Sequence, residues 1–255
     1  MSGGVDSAVC AALLSKQGHD VVGVHMRNWE EVEEFGECQG EKDAADAEMV
    51  CRRLGIRFER VEFVKEYWTN VFDEFVKGYR MGITPNPDVM CNRYVKFEAL
   101  RSVAFDKFGA DFLATGHYVR TRLAEPNDPL PALWCSSSPS SSSSAAAAAA
   151  ADASSVASPS TAVLSPVPYA QLLAANTAGK DQSYFLSMVK PGSFEKVLFP
   201  LGEFSSKAEV RRLAAEWNLP VAAKKDSMGL CFVGKRNFPG FISQYISPQT
   251  GSFVL

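Results

Sequence analysis

An α/β fold built on a doubly wound parallel sheet is what this sequence predicts. Three observations predict it. Short apolar, strand-like stretches alternate with helix-patterned ones over residues 1–123. A loop with two glycines at residues 2–7 runs straight into a helix, as phosphate loops do in such sheets. Hydrophobic residues make up 46% of the chain and charged ones 22%, the balance of a globular protein with a core.

The elements follow in order. Residues 6–17 read as a helix, with Val9, Ala12 and Leu13 on one face and Gly18 as its stop. Residues 21–26 form a short buried strand, 43–54 a helix ended by Gly55, and 58–64 a second strand. Residues 67–79 are a helix whose Trp68, Val71, Phe72, Phe75 and Tyr79 make a core stripe. A further helix covers 92–108 and a further strand 111–115. From 124 to 168 the chain is rich in Pro, Ser and Ala, with no core-forming pattern, and reads as a disordered insertion. Order resumes near Gln171. Asp181 caps a short helix through Met188. Ser206 and Glu209 make a capping box for a helix through Trp217, with Val210, Leu213 and Trp217 inward. A doubly wound sheet needs a strand feeding the loop at 2–7, yet only Met1 precedes Ser2, so the sheet's first strand is expected to be missing.

Composition excludes several classes. No apolar run reaches the ~20 residues of a membrane span. Six cysteines without dense or C-x-x-C spacing argue against a secreted disulfide scaffold and a common zinc site, and for a reducing compartment. Net charge is −3, but it is unevenly spread. Residues 1–130 carry 16 Lys+Arg against 22 Asp+Glu, and residues 131–255 carry 10 against 7. The basic excess between Lys190 and Arg236 is either a patch that meets phosphate or an ordinary solvated face.

Three stretches carry chemistry. In the first, Ser2, Gly3, Gly4, Val5, Asp6 and Ser7 lead into a helix start, which offers backbone N–H groups and a positive dipole end to an anion. Asp6 can cap the helix or help hold magnesium. A Walker loop is excluded by the absence of its G-K-[ST] ending. The second stretch is 84–92 (TPNPDVMCN). Its prolines stiffen the backbone and exclude helix, which then starts at Asn92. Cys91 is therefore expected at a helix N-terminus, where the dipole favours thiolate, with Arg93 and Lys96 near and Asp88 placed to move a proton. The third stretch is 226–233, where Cys231 lies beside Gly229 with Lys224, Lys225, Lys235 and Arg236 around it. A reactive thiol and a buried strand cysteine both fit there.

The loop SGGVDS resembles that of the PP-loop ATP pyrophosphatases, which cleave ATP between the α and β phosphates and adenylate a substrate oxygen. Taken with TPNPDVMCN, ATGHY at 114–118, GKDQSYFL at 179–186 and DSMGLCFVG at 226–234, the order is similar to that of the ATP-dependent tRNA 2-thiouridylases. Asn28, Trp29 and Glu30, with Cys38 and residues 65–68 (KEYW), look like the mitochondrial branch. That resemblance covers residues 1–123 and 170–246 and implies a PP-loop type of α/β fold. It divides the chain into an ATP-binding domain over 1–123, the insertion over 124–168, the rest of the catalytic domain with the start of a tRNA-binding region over 169–246, and a truncated end over 247–255.

The resemblance further implies that Ser2, Gly3, Gly4, Val5, Asp6 and Ser7 bind ATP phosphates, that Met26 lines the adenine pocket and that Gly116 lets the nucleotide approach. It implies that Asn86, Pro87 and Asp88 contact the target base and that Lys180, Asp181 and Gln182 contact tRNA. Cys91 would be the nucleophile and Cys231 the persulfide carrier, with Asp88 as acid or base. His117 is either a base or a structural residue in the turn after a strand. The implied activity is sulfur transfer to C2 of the wobble uridine. ATP and magnesium are the implied cofactors. The partners are tRNAs such as those for Lys, Glu and Gln, and a cysteine desulfurase or sulfur-relay protein, with no membrane. The branch implies a mitochondrial location, with the cytoplasm as the alternative. Three departures from the family stand out: the absent first strand, the Ser/Ala insertion in place of a short connection, and an end at Leu255 ahead of a β-rich region. Two rivals remain at this level: another PP-loop adenylating ligase, and an inactive fragment that binds nucleotide or RNA.

Overall fold

The structure, a computed structural model, describes residues 1–29, 39–123, 170–226, 229–234 and 236–247. The expected insertion at 124–168, with Cys135, lies outside the described residues, as do Glu30, Cys38, Ser227, Met228 and Lys235.

Helix α1 (Val5–Lys16) is built of small and apolar residues, and Val5, Ala8, Val9, Ala12 and Leu14 are all buried. Small side chains let it pack closely, chiefly on α6 (Lys207–Glu216). It stops at Gln17, and Gly18 then takes a φ of +86°, which closes the C-terminal carbonyls. Strand β1 (Val22–Arg27) pairs in parallel with β2 (Arg57–Glu62), from Val22 opposite Arg57 to Arg27 opposite Glu62. Between them α2 (Gln39–Leu54) crosses over, burying Ala44, Ala47, Val50 and Cys51. This is a β-α-β unit, and the α/β class is therefore borne out.

A single continuous sheet is not seen among the described residues. Among the described residues there are three two-stranded sheets. The second is parallel, β3 (Leu113–Ala114) with β6 (Val197–Leu198). The third is antiparallel, β4 (Val119–Leu123) with β5 (Ala170–Ala174). Among the described residues β1 and β3 share no hydrogen bonds. The backbone of Met1 lies beside β1 instead: its amino group bonds the Val24 carbonyl, and its carbonyl meets His25 Nδ1 at 3.0 Å.

The expected helix at 67–79 is a longer composite. It comprises α3 (Val64–Tyr67), a π-helical turn (Trp68–Phe72) and α4 (Asp73–Arg80). The wider π turn rotates the helix so that Tyr67, Val71, Phe72, Phe75 and Val76 face the core. Trp68, expected in that stripe, is 47% exposed. The helix expected at 92–108 starts earlier, as α5 (Pro87–Met90), and continues through π-helical Cys91–Leu100 and Val103–Lys107. The short helix expected from Asp181 to Met188 is replaced by a 3₁₀ turn, Ser183–Leu186. Ser206 does cap α6, accepting from the Glu209 amide at 3.3 Å, but Glu209 turns its carboxylate to Ser205 instead of closing the box. Along α6, Val210 and Ala214 are buried, while Leu213 and Trp217 are only half-buried.

Two hydrophobic clusters result. One joins α1 to Val50, Tyr118, Leu201 and α6. The other is the aromatic core of Tyr67, Phe72, Phe75, Phe97, Phe232 and Phe241. Among the described residues no helix is long and apolar enough to cross a membrane.

Candidate active site

Two neighbouring centres are built at the ends of these elements. The first is the glycine loop. Gly3 has φ +72°, and a Cβ there would run into the backbone carbonyl of Asp43 on α2. Gly4 is the N-cap of α1, in extended backbone, and no side chain caps the helix. Asp6 therefore does not cap, contrary to one of the two expectations. It is the second residue of the helix, and its carboxylate accepts from Tyr118 Oη at 2.9 Å and pairs with Lys207 Nζ at 3.3 Å. The Ser2 and Ser7 hydroxyls face each other at 3.1 Å, and Ser7 Oγ donates to the Gly4 carbonyl. Gly116 sits against the first turn of α1: a Cβ there would lie 3.0 Å from Asp6 C and Ser7 N. Met26 is half-buried near the end of β1, against the aromatic core.

Cations and carboxylates ring this loop. Lys224 Nζ bonds Gly3 O at 3.0 Å, Asp43 at 2.7 Å and also Asp46. Burial works against its charge, but the two carboxylates outweigh it and raise its pKa. Lys207 bridges Asp6 to Asp226, which lies 2.6 Å from it and 2.6 Å from Arg211. The Lys207 hydrogen bond, then Arg211, hold the Asp226 carboxyl below its usual range even though burial opposes them. Asp43 and Asp46 carry no site signal in the sequence, Tyr118 enters there only as the end of ATGHY, and Lys207 and Arg211 only as part of the basic stretch from Lys190 to Arg236. Lys224 was noticed only as a charge near Cys231, yet its ammonium reaches the glycine loop.

The second centre gathers the two cysteines. Asn86 accepts from the amides of Asp88 at 3.0 Å and Val89 at 3.4 Å, and so caps α5, while Pro87 takes its first position. Pro87 thus starts a helix where the sequence pattern excludes one. Proline lacks only the amide that a first turn leaves unbonded anyway. Cys91 consequently lies a full turn into the helix, and is buried. Burial pushes its thiol up to about 12, with Lys96 opposing and the Cys231 and Asp88 charges adding. The expected dipole-stabilised thiolate is therefore not present. A dipole contribution of about 0.3–1 kcal/mol is under one pH unit and does not offset that burial. Arg93 lays its guanidinium over the Tyr94 ring, 4.8 Å from its centre.

Cys231 is exposed, and its Sγ lies 2.8 Å from the Tyr67 hydroxyl. Both site cysteines are free thiols. Burial raises Asp88 above the usual carboxylate range, and Lys96 opposes it. Cys91, Cys231, Asp88, Lys96 and Tyr67 thus form one electrostatically connected group. Tyr67 was not foreseen, because its inward turn depends on the π-helical segment.

Of the 180–182 stretch, only Lys180 presents its side chain outward, 3.9 Å from Asp226. Asp181 accepts from Ala175 N at 2.8 Å and Ser183 Oγ at 2.5 Å. Gln182 clasps Tyr118 through both its side chain and its amide, at 2.9 and 3.0 Å. Asn92 Nδ2 donates to Phe185 O at 2.9 Å and ties this stretch to the Cys91 helix. His117 packs beside Phe97 and Phe199, with Nδ1 2.8 Å from Thr115 Oγ1. Burial, aided by Lys96, keeps it neutral well below its ordinary pKa, which favours the structural of its two readings.

The buried thiols predict an alkaline weakness. Cys10 and Cys91 are both raised by burial from 9.0 to about 12. An acid whose folded pKa is raised gives stability that is complete below its unfolded value and lost as pH climbs to the folded one. The urea midpoint should thus fall from pH 9 toward 12, each thiol contributing at most about 4 kcal/mol. Cys10→Ala should flatten the fall. A midpoint that stays level to pH 11 would contradict the burial of these groups.

Over residues 1–133 and 125–235 the chain matches the family described as the tRNA methyl transferase HUP domain. It is 42% identical to mitochondrial tRNA-specific 2-thiouridylase 1 of Drosophila melanogaster, over all of this chain and 57% of that protein. It is 40% identical to the human protein of the same name, over all of this chain and 56% of that one. It is also 40% identical to tRNA-specific 2-thiouridylase MnmA of Staphylococcus saprophyticus, over 98% of this chain and 56% of that protein. The chain thus spans a little over half the length of these relatives. It belongs to the tRNA methyl transferase HUP-domain family, alongside the tRNA-specific 2-thiouridylases it is similar to.

Proposed function

We propose that this chain is the nucleotide-binding and sulfur-handling part of an ATP-dependent tRNA 2-thiouridylase. The observation that carries the reading is the convergence of Cys91 and Cys231, 140 residues apart in sequence, with Asp88 and Lys96 in one electrostatically connected group. The glycine loop supports it by fitting a phosphate: an uncapped helix start, facing serine hydroxyls and a carbonyl-anchored lysine. In this reading Ser2 to Ser7 cradle the phosphates of ATP, Met26 lines its base, and Gly116 keeps the loop close. ATP supplies the activating group, which makes the uridine C2 oxygen a leaving group. Magnesium, where bound, would supply charge neutralisation at the phosphates. Asp6 is its candidate protein ligand, although Lys207 now supplies the positive charge there. Among the described residues no cluster of three metal-ligating side chains exists.

The sulfur step then balances as follows. The terminal sulfur of a persulfide on Cys231 attacks C2, and AMP leaves with the oxygen. Cys91, losing its proton to Asp88, attacks Cys231 Sγ. The old sulfur–sulfur bond breaks, its electron pair stays with the uridine sulfur, and a Cys91–Cys231 disulfide remains for an external thiol to reduce. Lys96 is the cation that eases deprotonation of Cys91. Asn86, Pro87 and Asp88 border the target base. Lys180, Asp181 and Gln182 shape the tRNA contact, with Lys180 reaching phosphate. The tRNAs for Lys, Glu and Gln, a desulfurase-derived sulfur donor and a mitochondrial location belong to the same reading. Relatives named mitochondrial and bacterial are equally similar. The doubly wound sheet belongs to the same reading.

The test is direct. With ATP, a persulfide donor and unmodified tRNA, the protein should yield 2-thiouridine by nucleoside mass spectrometry, with one AMP and one pyrophosphate per sulfur. Turnover of ATP on a small acceptor with no sulfur in tRNA would instead favour an adenylating ligase. Neither product would favour the inactive fragment. Methyl transfer, which the family description names, has no use for paired thiols.

A further inference from the structure

Among the described residues Tyr67 is a buried phenol whose hydroxyl meets a cysteine sulfur. Its side chain is 1% exposed, between Trp29 at 6.3 Å and Phe232 at 6.2 Å, ring centre to ring centre. A buried phenol needs a hydrogen-bond partner. The one it has is Cys231 Sγ at 2.8 Å. Cys231 itself sits in a turn, closed by Val233 N to Leu230 O at 3.0 Å. The next residue, Phe232, is wholly buried against Phe72 and Phe75. Phe232 thus pins the turn to the core, while the Cys231 sulfur turns to the Tyr67 hydroxyl, its one side-chain hydrogen bond among the described residues, beside a weaker one to the Phe232 backbone.

We propose that Tyr67 is a positioning residue for the Cys231 thiol: its hydroxyl holds the sulfur in one orientation and donates to it whenever the sulfur is anionic. The meaning of this for sulfur transfer rests on the reading of Cys231 as carrier, but its test does not. The direction of donation follows from the phenol's surroundings. Burial, then the Cys231, Cys91 and Asp88 charges, raise the Tyr67 pKa far above its ordinary value, so its proton stays on oxygen. Burial also raises Cys231, and the Tyr67 bond is the strongest influence lowering it. The other charged groups facing Cys231 are Asp88, which raises it, and Lys96, which lowers it, together with the thiol of Cys91.

Removing the hydroxyl should therefore make the thiolate harder to form while the turn stays pinned. The measurement is iodoacetamide labelling of the reduced protein from pH 6.5 to 10, following the Cys231 peptide by mass spectrometry. Tyr67→Phe should move the labelling midpoint up by about one pH unit, so that labelling at pH 8 slows about tenfold. Phe72→Leu, which loosens the same aromatic packing and keeps the hydroxyl, should leave the midpoint in place. A 3-fluorotyrosine at position 67 is a stronger donor and should move it down, a readout that does not depend on Tyr67→Phe folding. A midpoint unmoved by Tyr67→Phe or by the fluorinated residue overturns the proposal, as does an equal shift in Phe72→Leu. A normal shift in a protein that puts no sulfur into tRNA would leave this inference standing and sink the functional one.

Discussion

Cys91→Ser and Cys231→Ser should each cut 2-thiouridine formation on the order of a thousandfold or more, as removal of a covalent catalyst does. Cys10→Ala and Cys51→Ala should leave it within a few-fold. The contrast comes from place in the fold. Cys10 lies in the closely packed α1, and Cys51 lies in α2 against Gly23, whose missing side chain makes room for its sulfur. Neither touches the group formed by Asp88, Lys96 and Tyr67. Cys231 meets Tyr67 at 2.8 Å, and both Cys91 and Cys231 interact electrostatically with Asp88 and Lys96. Serine keeps each side chain's size and polarity but carries no persulfide and forms no disulfide, so the fold should survive. Far-ultraviolet circular dichroism and a thermal melt would confirm that survival. Full activity with Cys231→Ser would remove the carrier role. With Cys91→Ser the uridine sulfur should stay disulfide-linked to Cys231, so free 2-thiouridine released in a single turnover by that variant would remove the resolving role of Cys91.

Gly3→Ala should lower the melting temperature by about 5–10 °C, whereas Gly4→Ala should lower it by no more than about 2–3 °C. The two glycines are neighbours with different obligations. Gly3 has φ +72°, where an L-residue costs roughly 1–2 kcal/mol. Its new Cβ would also collide with the Asp43 carbonyl, so α2 or the loop must move. Asp43 is one of the carboxylates that hold Lys224, and Lys224 in turn anchors the Gly3 carbonyl. The disturbance therefore spreads through the ring of charges, for a total of about 2–4 kcal/mol. Gly4 has ordinary extended backbone, and its Cβ would meet only Ser2 Oγ at 3.4 Å. In the proposed function Gly3→Ala should also weaken ATP binding at least about tenfold by calorimetry. Equal melting of the two variants would show that the close approach to α2 is not what holds the loop.

What the sequence determined by itself is the set of local structures, because their causes are local. The loop of Ser2 to Ser7 leads into α1 as expected, since glycine freedom and a helix start lie within a few residues of each other. Ser206 caps α6 and Gly18 ends α1 for the same reason. The β1–α2–β2 unit was legible from alternating apolar patterns. The motifs around Cys91 and Cys231 were legible as candidate chemistry, and the fold does bring them together. Only the tertiary structure decided the rest. Whether Cys91 is thiol or thiolate depends on burial by residues far along the chain, and burial overrode the helix dipole. Whether Tyr67 or Trp68 faces the core depends on one π-helical turn, which a 3.6-residue period does not reveal. The ring of Lys207, Lys224, Arg211 and Asp226 reaches Asp6, Gly3 and Asp43 across about 180 to 220 residues. Ion pairs and hydrogen bonds at such separations leave no periodicity in a sequence, because they arise only after packing has placed the elements.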